Sequence, residues 1–353
     1  MDKAAVNTRN YGIDRLRTVA IFSIITLHCF PFFHANIPYA ELISSAINQA
    51  ARFAVPCFFV LSGYLYSRVL NTPNPVVGMA RFCAKLLALY FLYSVIYLLP
   101  YNIWLNTVES PSGTMDSSRF WFYIWTQNYE NFLFGGYKYH LWFLPALAIA
   151  AFICTTVAWI ERLVGQRMGI FQISVGCALF IAGVIGGAYK NSIIGFDFEF
   201  YTRNGPFFST LFFASGIYIS TLRGDSNVFR ISLWLIAFGA TSHFLEVYFL
   251  TSSKTITSLP DYVFGTYFFG VGAALLAIRS GTDRDSDLLS RLGAYGLGIY
   301  ALHPFIIDML TPAFRAGSQV VAWQVIAPFV VFSLTAILVV TLARSRFLRP
   351  ILK

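Results

Sequence analysis

The sequence predicts an all-α integral membrane protein, built as a bundle of about ten transmembrane helices with both termini in the cytoplasm. Only 12% of its 353 residues are charged, whereas 57% are hydrophobic and 18% are aromatic. A soluble domain carries roughly 25% charged residues, and a disordered chain has high charge and few aromatic residues. Both classes are therefore excluded, and we expect one integral membrane domain over residues 1–353.

Ten apolar stretches are each long enough to cross the hydrocarbon core, which takes about 20 helical residues. They cover residues 13–33, 46–67, 80–100, 141–160, 170–189, 205–222, 231–250, 262–279, 293–312 and 320–342. The first stretch lacks a cleavage site after it, and we interpret it as a retained span and not a signal peptide. Pro56 has no backbone N–H, and we expect it to kink the second span.

The basic residues indicate the orientation of the bundle. Of the 25 Lys and Arg residues, 18 fall on the side of the N-terminus and 7 on the other side. Cytoplasmic loops carry an excess of Lys and Arg, so this distribution places both termini in the cytoplasm. The net charge of +9 is thus explained by topology. We expect the lipid bilayer as a partner and no nucleic acid, and the oligomeric state is left open.

The five cysteines all lie within apolar stretches, and none forms a CxxC pair. Unpaired buried thiols are therefore expected instead of a disulfide framework. The sequence also lacks HExxH, Walker and GxSxG motifs, and no metal is expected.

Ionisable side chains at membrane depth are costly and therefore mark function. The first stretch carries Asp14, Arg17 and His28. Arg17 and His28 are 11 residues apart, which is three helical turns plus about 20°, so they share a face with a rise of roughly 16 Å. Asp14 lies close to that face, one turn before Arg17. A histidine in an apolar bundle under a basic entrance is well placed as a general base, although a polar contact between helices is the alternative.

Basic residues in the next two stretches have two interpretations. Arg52 lies near the outer end of the second stretch, where it either extends to the membrane interface or binds substrate. Arg81 and Lys85 share a face at the start of the third stretch, and Arg68 precedes them. This basic patch holds either anionic lipid or a phosphorylated cofactor.

Polar and aromatic residues at the ends of later stretches complete the candidate set. Trp142 fits an interfacial aromatic belt, whereas Glu246 and His303 are either structural contacts or parts of a substrate site. Tyr300 lies three residues before His303, on the same face. The candidates for substrate binding are Arg52, His140, Trp142, Arg203, Asn204, Glu246, Tyr300 and His303.

Five segments, in chain order, resemble the integral membrane acyltransferase family 3. They are Ile13-Asp-Arg-Leu-Arg17 followed by His28, Arg52-Phe-Ala-Val-Pro-Cys-Phe-Phe-Val-Leu-Ser-Gly-Tyr64, His140-Leu-Trp-Phe-Leu144, Thr202-Arg-Asn-Gly205 and Leu297-Gly-Ile-Tyr-Ala-Leu-His303. One element departs from the family pattern, because many members carry Arg-x-x-Arg at the start of the third helix. Here three residues separate Arg81 from Lys85. The overall length most resembles the stand-alone members that O-acetylate surface polysaccharides.

The resemblance implies transfer of an acyl group, usually acetyl, from acyl-CoA to a hydroxyl of a cell-envelope glycan. It places the enzyme in the inner (cytoplasmic) membrane of a bacterium, with the donor entering from the cytoplasm. The phosphates of coenzyme A would suit the basic residues of the entrance as electrostatic partners. These donor-binding candidates are Arg17, Arg81, Lys85 and Arg68. The acceptor glycan and the size of the acyl group are left open.

For the reaction itself, the resemblance implies that His28 deprotonates the acceptor hydroxyl while Asp14 and Arg17 organise the entrance. Direct transfer is favoured over an acyl-enzyme on Ser62, because the sequence places no base beside this serine. Two other functions stay open. One is a secondary transporter that uses His28 and Glu246 as a proton relay, and the other is a non-catalytic factor for polysaccharide export. The basic entrance favours the enzyme.

Overall fold

Each of the ten apolar stretches expected from the sequence coincides with a helix. The computed structural model of the protein describes residues 9–33, 35–105, 135, 138–166, 169–198, 200–222, 227–256, 258–280 and 286–353. The regular secondary structure of these residues is helical and includes no strand, which confirms the predicted all-α class. The helices are α1 (Tyr11–Cys29), α2 (Ala40–Ala50), α3 (Ala54–Leu70), α4 (Pro75–Leu105), α5 (Phe143–Leu163), α6 (Ile170–Ile185), α7 (Pro206–Thr221), α8 (Val228–Ser252), α9 (Phe264–Ser280), α10 (Leu288–Gly293), α11 (Gly296–Met309), α12 (Thr311–Ala316), α13 (Val321–Leu342) and α14 (Arg349–Leu352).

Five helical stretches within the described ranges are long and apolar enough to cross a membrane. They are Ala40–Leu70, Pro75–Tyr97, Phe143–Leu163, Val228–Ser252 and Val321–Leu342. The helices α6, α9 and α11 are also apolar but shorter. The protein is therefore an integral membrane helical bundle. The count of ten spans and the cytoplasmic side of both termini stay predictions, and Lys3, Arg119, Arg167, Arg223 and Arg284, which the topology count used, lie outside the described residues.

The second predicted span begins in α2 and continues through a 3-10 turn, Ala51–Phe53, into α3. Pro56 lies in the first turn of α3, where its missing N–H breaks few helical hydrogen bonds. The kink that we expected at Pro56 is thus replaced by a 3-10 turn just before this residue. Arg52 lies inside that turn.

Packing in the centre of the bundle depends on close helix crossings. Helix α1 contacts α3, α9, α10, α11 and α13, while α3 packs along α7. Gly63 of α3 lies against the backbone carbonyl of Phe213, and Gly216 of α7 lies against that of Val60. A Cβ atom at either glycine would meet that carbonyl oxygen. These reciprocal glycines let two backbones approach closely, as is usual between membrane helices.

Two carboxylates, that of the buried Glu161 and that of the half-buried Glu246, hold the first turns of helices. Glu161 accepts hydrogen bonds from the backbone N–H groups of Gly169 (2.9 Å) and Phe171 (2.7 Å) at the start of α6. Glu246 accepts hydrogen bonds from the N–H groups of Phe264 (3.1 Å) and Gly265 (3.0 Å) at the start of α9. The unpaired N–H groups of a helix start favour a negative charge there, which explains why these acids are tolerated inside an apolar bundle.

All five cysteines are free thiols, and Cys29, Cys57 and Cys154 are buried. The prediction of unpaired thiols in apolar stretches is confirmed.

The glycine crossing predicts the effect of one added methyl group. We expect Gly216→Ala to destabilise the protein by about 1–3 kcal/mol, because its Cβ would meet the rigid backbone carbonyl of Val60. The thermal unfolding midpoint in detergent measures this change. Gly78→Ala is the matched control, since its Cβ would meet only a side-chain methyl group of Val69. Equal midpoints for the two variants would contradict the proposed role of the crossing.

Candidate active site

The largest cavity next to the predicted catalytic residues has a volume of about 730 Å³ and is lined by residues from distant parts of the chain. This volume lies within the range of ligand pockets, about 300–1,000 Å³. The lining side chains include His28, Arg52, Trp142, Arg203 and Asp261. The cavity thus brings together the end of α1, the 3-10 turn before α3 and the segments that precede α5, α7 and α9.

His28 lines this cavity and contacts two aromatic side chains, those of His303 and Tyr139. Its ring stacks on that of His303, with 5.5 Å between the centroids and 22° between the planes. The ring of Tyr139 lies 4.5 Å away. His303 in turn lies 5.3 Å from the ring of His140. Three histidines that are far apart in the sequence therefore form one cluster, of which His28 lines the cavity.

The partners of His303 and His140 define the proton positions on both rings. Nδ1 of His303 lies 2.6 Å from the carbonyl oxygen of Tyr300, and Nε2 of His140 lies 3.1 Å from that of Ala301. A carbonyl oxygen only accepts, so each of these nitrogens carries the hydrogen. The opposite nitrogens, Nε2 of His303 and Nδ1 of His140, are buried acceptors without a hydrogen-bond partner among the described residues. Buried groups of this kind are rare and need an explanation.

Tyr300 connects this cluster to its neighbours. Its hydroxyl donates to the backbone carbonyl oxygen of His140 at 2.5 Å. Its ring lies 5.9 Å from that of His303 and 5.6 Å from that of Phe143. The hydrogen bond joins α11 to the segment that precedes α5.

On another wall of the cavity, the Asp261 carboxylate bridges two arginines. It lies 2.6 Å from Nη1 of Arg52 and 3.1 Å from Nη1 of Arg203. Burial raises the pKa of this carboxyl, but the two guanidinium groups outweigh burial and hold the pKa below its ordinary value. The guanidinium of Arg203 also lies 5.0 Å from the ring centroid of Trp142, a cation–π distance. Paired charges of this kind stay ionised inside a bundle.

A second, smaller pocket of about 200 Å³ lies around Arg17. Asp14 is buried and its two oxygens contact Arg17 at 3.2 Å and Arg9 at 2.6 Å. Ser62 and Lys353 also line this pocket, which is otherwise mainly apolar. Asp14 therefore fixes the direction of the Arg17 guanidinium, and Lys353 adds a second positive charge to the same pocket.

Three aromatic rings stand between the Arg17 pocket and the histidine cluster. Phe58, Phe143 and Tyr300 all line the Arg17 pocket. Their ring centroids lie 6.1, 6.3 and 5.6 Å apart in the three pairs. Tyr300 contacts His303 on its other side, and His303 stacks on His28. We call these three side chains the ring layer, since they separate the pocket of Arg17 from the cavity of His28.

The remaining predicted site residues lie elsewhere. Arg68, Arg81 and Lys85 are exposed and line none of the pockets described above. Asn204 is buried beside Arg203 without lining the large cavity. Glu246 caps α9 and accepts a hydrogen bond from the hydroxyl of Tyr189 at 2.9 Å, also away from that cavity.

Sequence reasoning missed several residues of the two pockets. Asp261 and Tyr139 in the large cavity drew no attention because each is polar and sits near the predicted end of a span. Lys353 lies beyond the last predicted span, where a basic residue indicates topology. The ion pair of Asp308 with Lys138, at 2.5 Å, depends on helix packing that the sequence does not display. The scarcity of acids, 16 in the whole chain, is the one signal that could have directed attention to Asp261.

The Asp261 bridge predicts a pH-dependent stability. Since its pKa is lower in the folded protein than in the unfolded chain, the carboxylate stabilises the fold above the unfolded value, near 4, and this contribution is lost as pH falls through the folded pKa. We expect Asp261→Asn to cost about 1–3 kcal/mol at pH 7. The difference in unfolding midpoint from wild type should shrink below about pH 4.

For the control we choose Asp197→Asn, since Asp197 is exposed and has no ion pair within the described ranges. The unfolding midpoint of this variant should match that of the wild type both at pH 7 and at pH 3.5. A constant difference between Asp261→Asn and wild type from pH 7 to pH 3.5 would contradict the role assigned to the bridge.

Comparison with known proteins gives one family match and several relatives. A family model described as an acyltransferase domain, of acyltransferase family 3, matches residues 10–344. A serine/alanine racemase of Enterococcus gallinarum is 27% identical over 243 residues, which are 65% of this chain and 32% of that protein. An amino-acid racemase of Enterococcus faecalis is 29% identical over 251 residues, 65% of this chain and 31% of that protein. The chain spans about a third of the length of these relatives. No solved structure matches significantly.

The family match extends from the start of α1 to the end of α13. It therefore includes His28, Arg17, the Asp261 bridge and the ring layer, and it confirms the resemblance that the sequence motifs indicated. The chain belongs to acyltransferase family 3.

Proposed function

We propose that the protein transfers an acyl group, most simply acetyl, from acyl-CoA to a hydroxyl of a cell-envelope glycan in the cytoplasmic membrane of a bacterium. One observation carries the proposal. Arg17 and His28 stand on the same helix, about 16 Å apart along its axis, and each faces a different pocket. Acyl transfer across a membrane needs a donor site and an acceptor site that are separate, with a base, here His28, between them.

The donor side is the Arg17 pocket. Coenzyme A carries phosphates at one end and its thiol at the end of a long, flexible pantetheine arm. Arg17 and Lys353 supply two positive charges at this pocket, which suit phosphate oxygens. Asp14 holds Arg17 in place at 3.2 Å, so less side-chain freedom is lost when the donor binds. The apolar remainder of the pocket suits the pantetheine arm.

The transfer step follows from the position of His28 in the cavity wall. An unprotonated ring nitrogen of His28 takes the proton of the acceptor hydroxyl as its oxygen attacks the thioester carbonyl carbon. The tetrahedral intermediate then expels the coenzyme A thiolate, and the C–S bond breaks as the new ester forms. The imidazolium of His28 returns the proton to the thiolate.

Direct transfer is the simpler route in this arrangement. The donor would have to pass the ring layer, so Phe58, Phe143 and Tyr300 must separate when acyl-CoA is bound. An acyl-enzyme on Ser62 would need a base in the Arg17 pocket. The described residues that line this pocket include no His, Asp or Glu.

Two alternatives have less support. A transporter that relays protons between His28 and Glu246 would need both side chains on one path, but Glu246 caps α9 away from the cavity of His28. The racemase names of the relatives belong to proteins of which this chain matches about a third. That partial match assigns no racemase chemistry to this chain.

The role of His28 predicts a large loss of activity on its removal. We expect His28→Ala to reduce acyl transfer by about 100-fold or more, the usual contribution of a general base. The measurement is the release of coenzyme A thiol from acetyl-CoA, with unacylated envelope glycan from cells that lack the gene as acceptor. Thr26→Ala, on the same helix and outside the cavity lining, is the control and should keep wild-type activity. Full transfer by His28→Ala would exclude His28 as the base.

The role of Arg17 predicts a loss of donor affinity. Removing a charge-assisted contact costs about 1.5–3 kcal/mol, so Arg17→Ala should raise the Kd for acetyl-CoA by roughly 10- to 100-fold. Calorimetry with the purified protein measures this change. Arg15→Ala removes the same charge two residues away, where Arg15 pairs with Asp287 at 2.8 Å outside the pocket, and should leave the affinity unchanged. Equal affinities for the two variants would remove Arg17 from the donor site.

A further inference from the structure

A third cavity, of about 390 Å³, lies next to the cavity of His28. It is formed by the segment between α6 and α7 together with the segment between α8 and α9. Arg203 and Asp261 line this cavity and also line the cavity of His28. The two cavities are therefore neighbours that share one ion pair as part of their walls, and we call the third cavity the side cavity.

The guanidinium of Arg203 marks the place where the two cavities meet. On one side it lies 5.0 Å from the ring of Trp142, which lines the cavity of His28. On the other side it lies 5.4 Å from the ring of Tyr201, which lines the side cavity. Asp261 holds Arg203 between these rings at 3.1 Å. A molecule that extends along this guanidinium contacts both cavities at once.

The chemistry of the side cavity selects a neutral, polar ligand. Its charged lining residues are Lys190, Arg203, Asp197 and Asp261, which gives two charges of each sign. An anion or a cation would meet as much repulsion as attraction there. Ser258 adds a hydroxyl group, and Phe198 adds an aromatic ring. Hydrogen-bonding edges beside aromatic faces suit a sugar ring, whose rim carries hydroxyl groups and whose faces are C–H bonds.

We propose that the side cavity binds a second, neutral sugar residue of the acceptor while the sugar to be acylated occupies the cavity of His28. The acceptor is then a chain of at least two sugars and not a free monosaccharide. This inference rests on the proposed transfer to a glycan hydroxyl. It names the class of acceptor by its length and charge.

The experiment compares two acceptors prepared from one source. Envelope glycan from cells that lack the gene is used either as intact chains or as the monosaccharides obtained from it by complete hydrolysis. For each acceptor, kcat/KM is measured from coenzyme A release with the full-length protein. We expect the wild type to prefer chains by about tenfold or more, which corresponds to about 1.4 kcal/mol of additional binding.

Filling the side cavity should remove this preference. Ser258 is exposed and lines the side cavity, so Ser258→Trp should lower kcat/KM for chains about tenfold and leave that for monosaccharides unchanged. Ser252→Trp, at the exposed end of α8 and outside both cavities, is the matched control and should behave as wild type. Asp197→Ala, a smaller change at an exposed residue, should raise KM for chains only.

Three results would overturn the inference. They are a wild type that uses chains and monosaccharides equally well, a Ser258→Trp variant that retains the preference for chains, and a Ser258→Trp variant that loses both activities alike while Asp197→Ala changes neither. Failure of the proposed function looks different, since the wild type would then release no coenzyme A with either acceptor.

Discussion

A charged or polar group inside an apolar helical bundle must find its partner within the protein, because lipid offers none. The bundle meets this constraint in three ways. Helix starts hold Glu161 and Glu246, a pair of arginines holds Asp261, and Asp14 is held between Arg9 and Arg17. The Asp261 bridge joins segments that are distant in the sequence, each glutamate joins two consecutive helices, and the pairs of Asp14 are local. The same contacts determine which charged side chains face a cavity.

The constraint also separates the polar groups that stabilise the fold from those available for chemistry. Glu246 lies at membrane depth but uses its oxygens on Tyr189 and the first turn of α9. His303 and His140 each use one ring nitrogen on a backbone carbonyl and leave the other without a partner among the described residues. These two nitrogens belong to the histidine cluster, in which the ring of His303 stacks on that of His28.

Much of the fold could be predicted from the sequence, since hydropathy is a local property that a short segment displays by itself. The positions of the helices and the common face of Arg17 and His28 are of this kind. The pairing of Arg52 with Asp261, 209 residues further along the chain, was not predictable, because it depends on how α3 and α9 pack. The residues around Arg17 also depend on helix packing. The spacing of Arg81 and Lys85 in the sequence suggests a donor site, but it is Lys353 that lines the Arg17 pocket.

The ring layer of Phe58, Phe143 and Tyr300 has a consequence for the kind of chemical group that can approach the histidines from the Arg17 pocket. Phe58 and Phe143 have no hydrogen-bonding side-chain atom, and the hydroxyl of Tyr300 already donates to the backbone carbonyl of His140. A charged or strongly polar group that entered the layer would lose its hydrogen bonds to water and gain none in return. The layer therefore favours an apolar segment of any molecule that extends from this pocket toward His303 and His28, and it keeps charged groups on the side of Arg17.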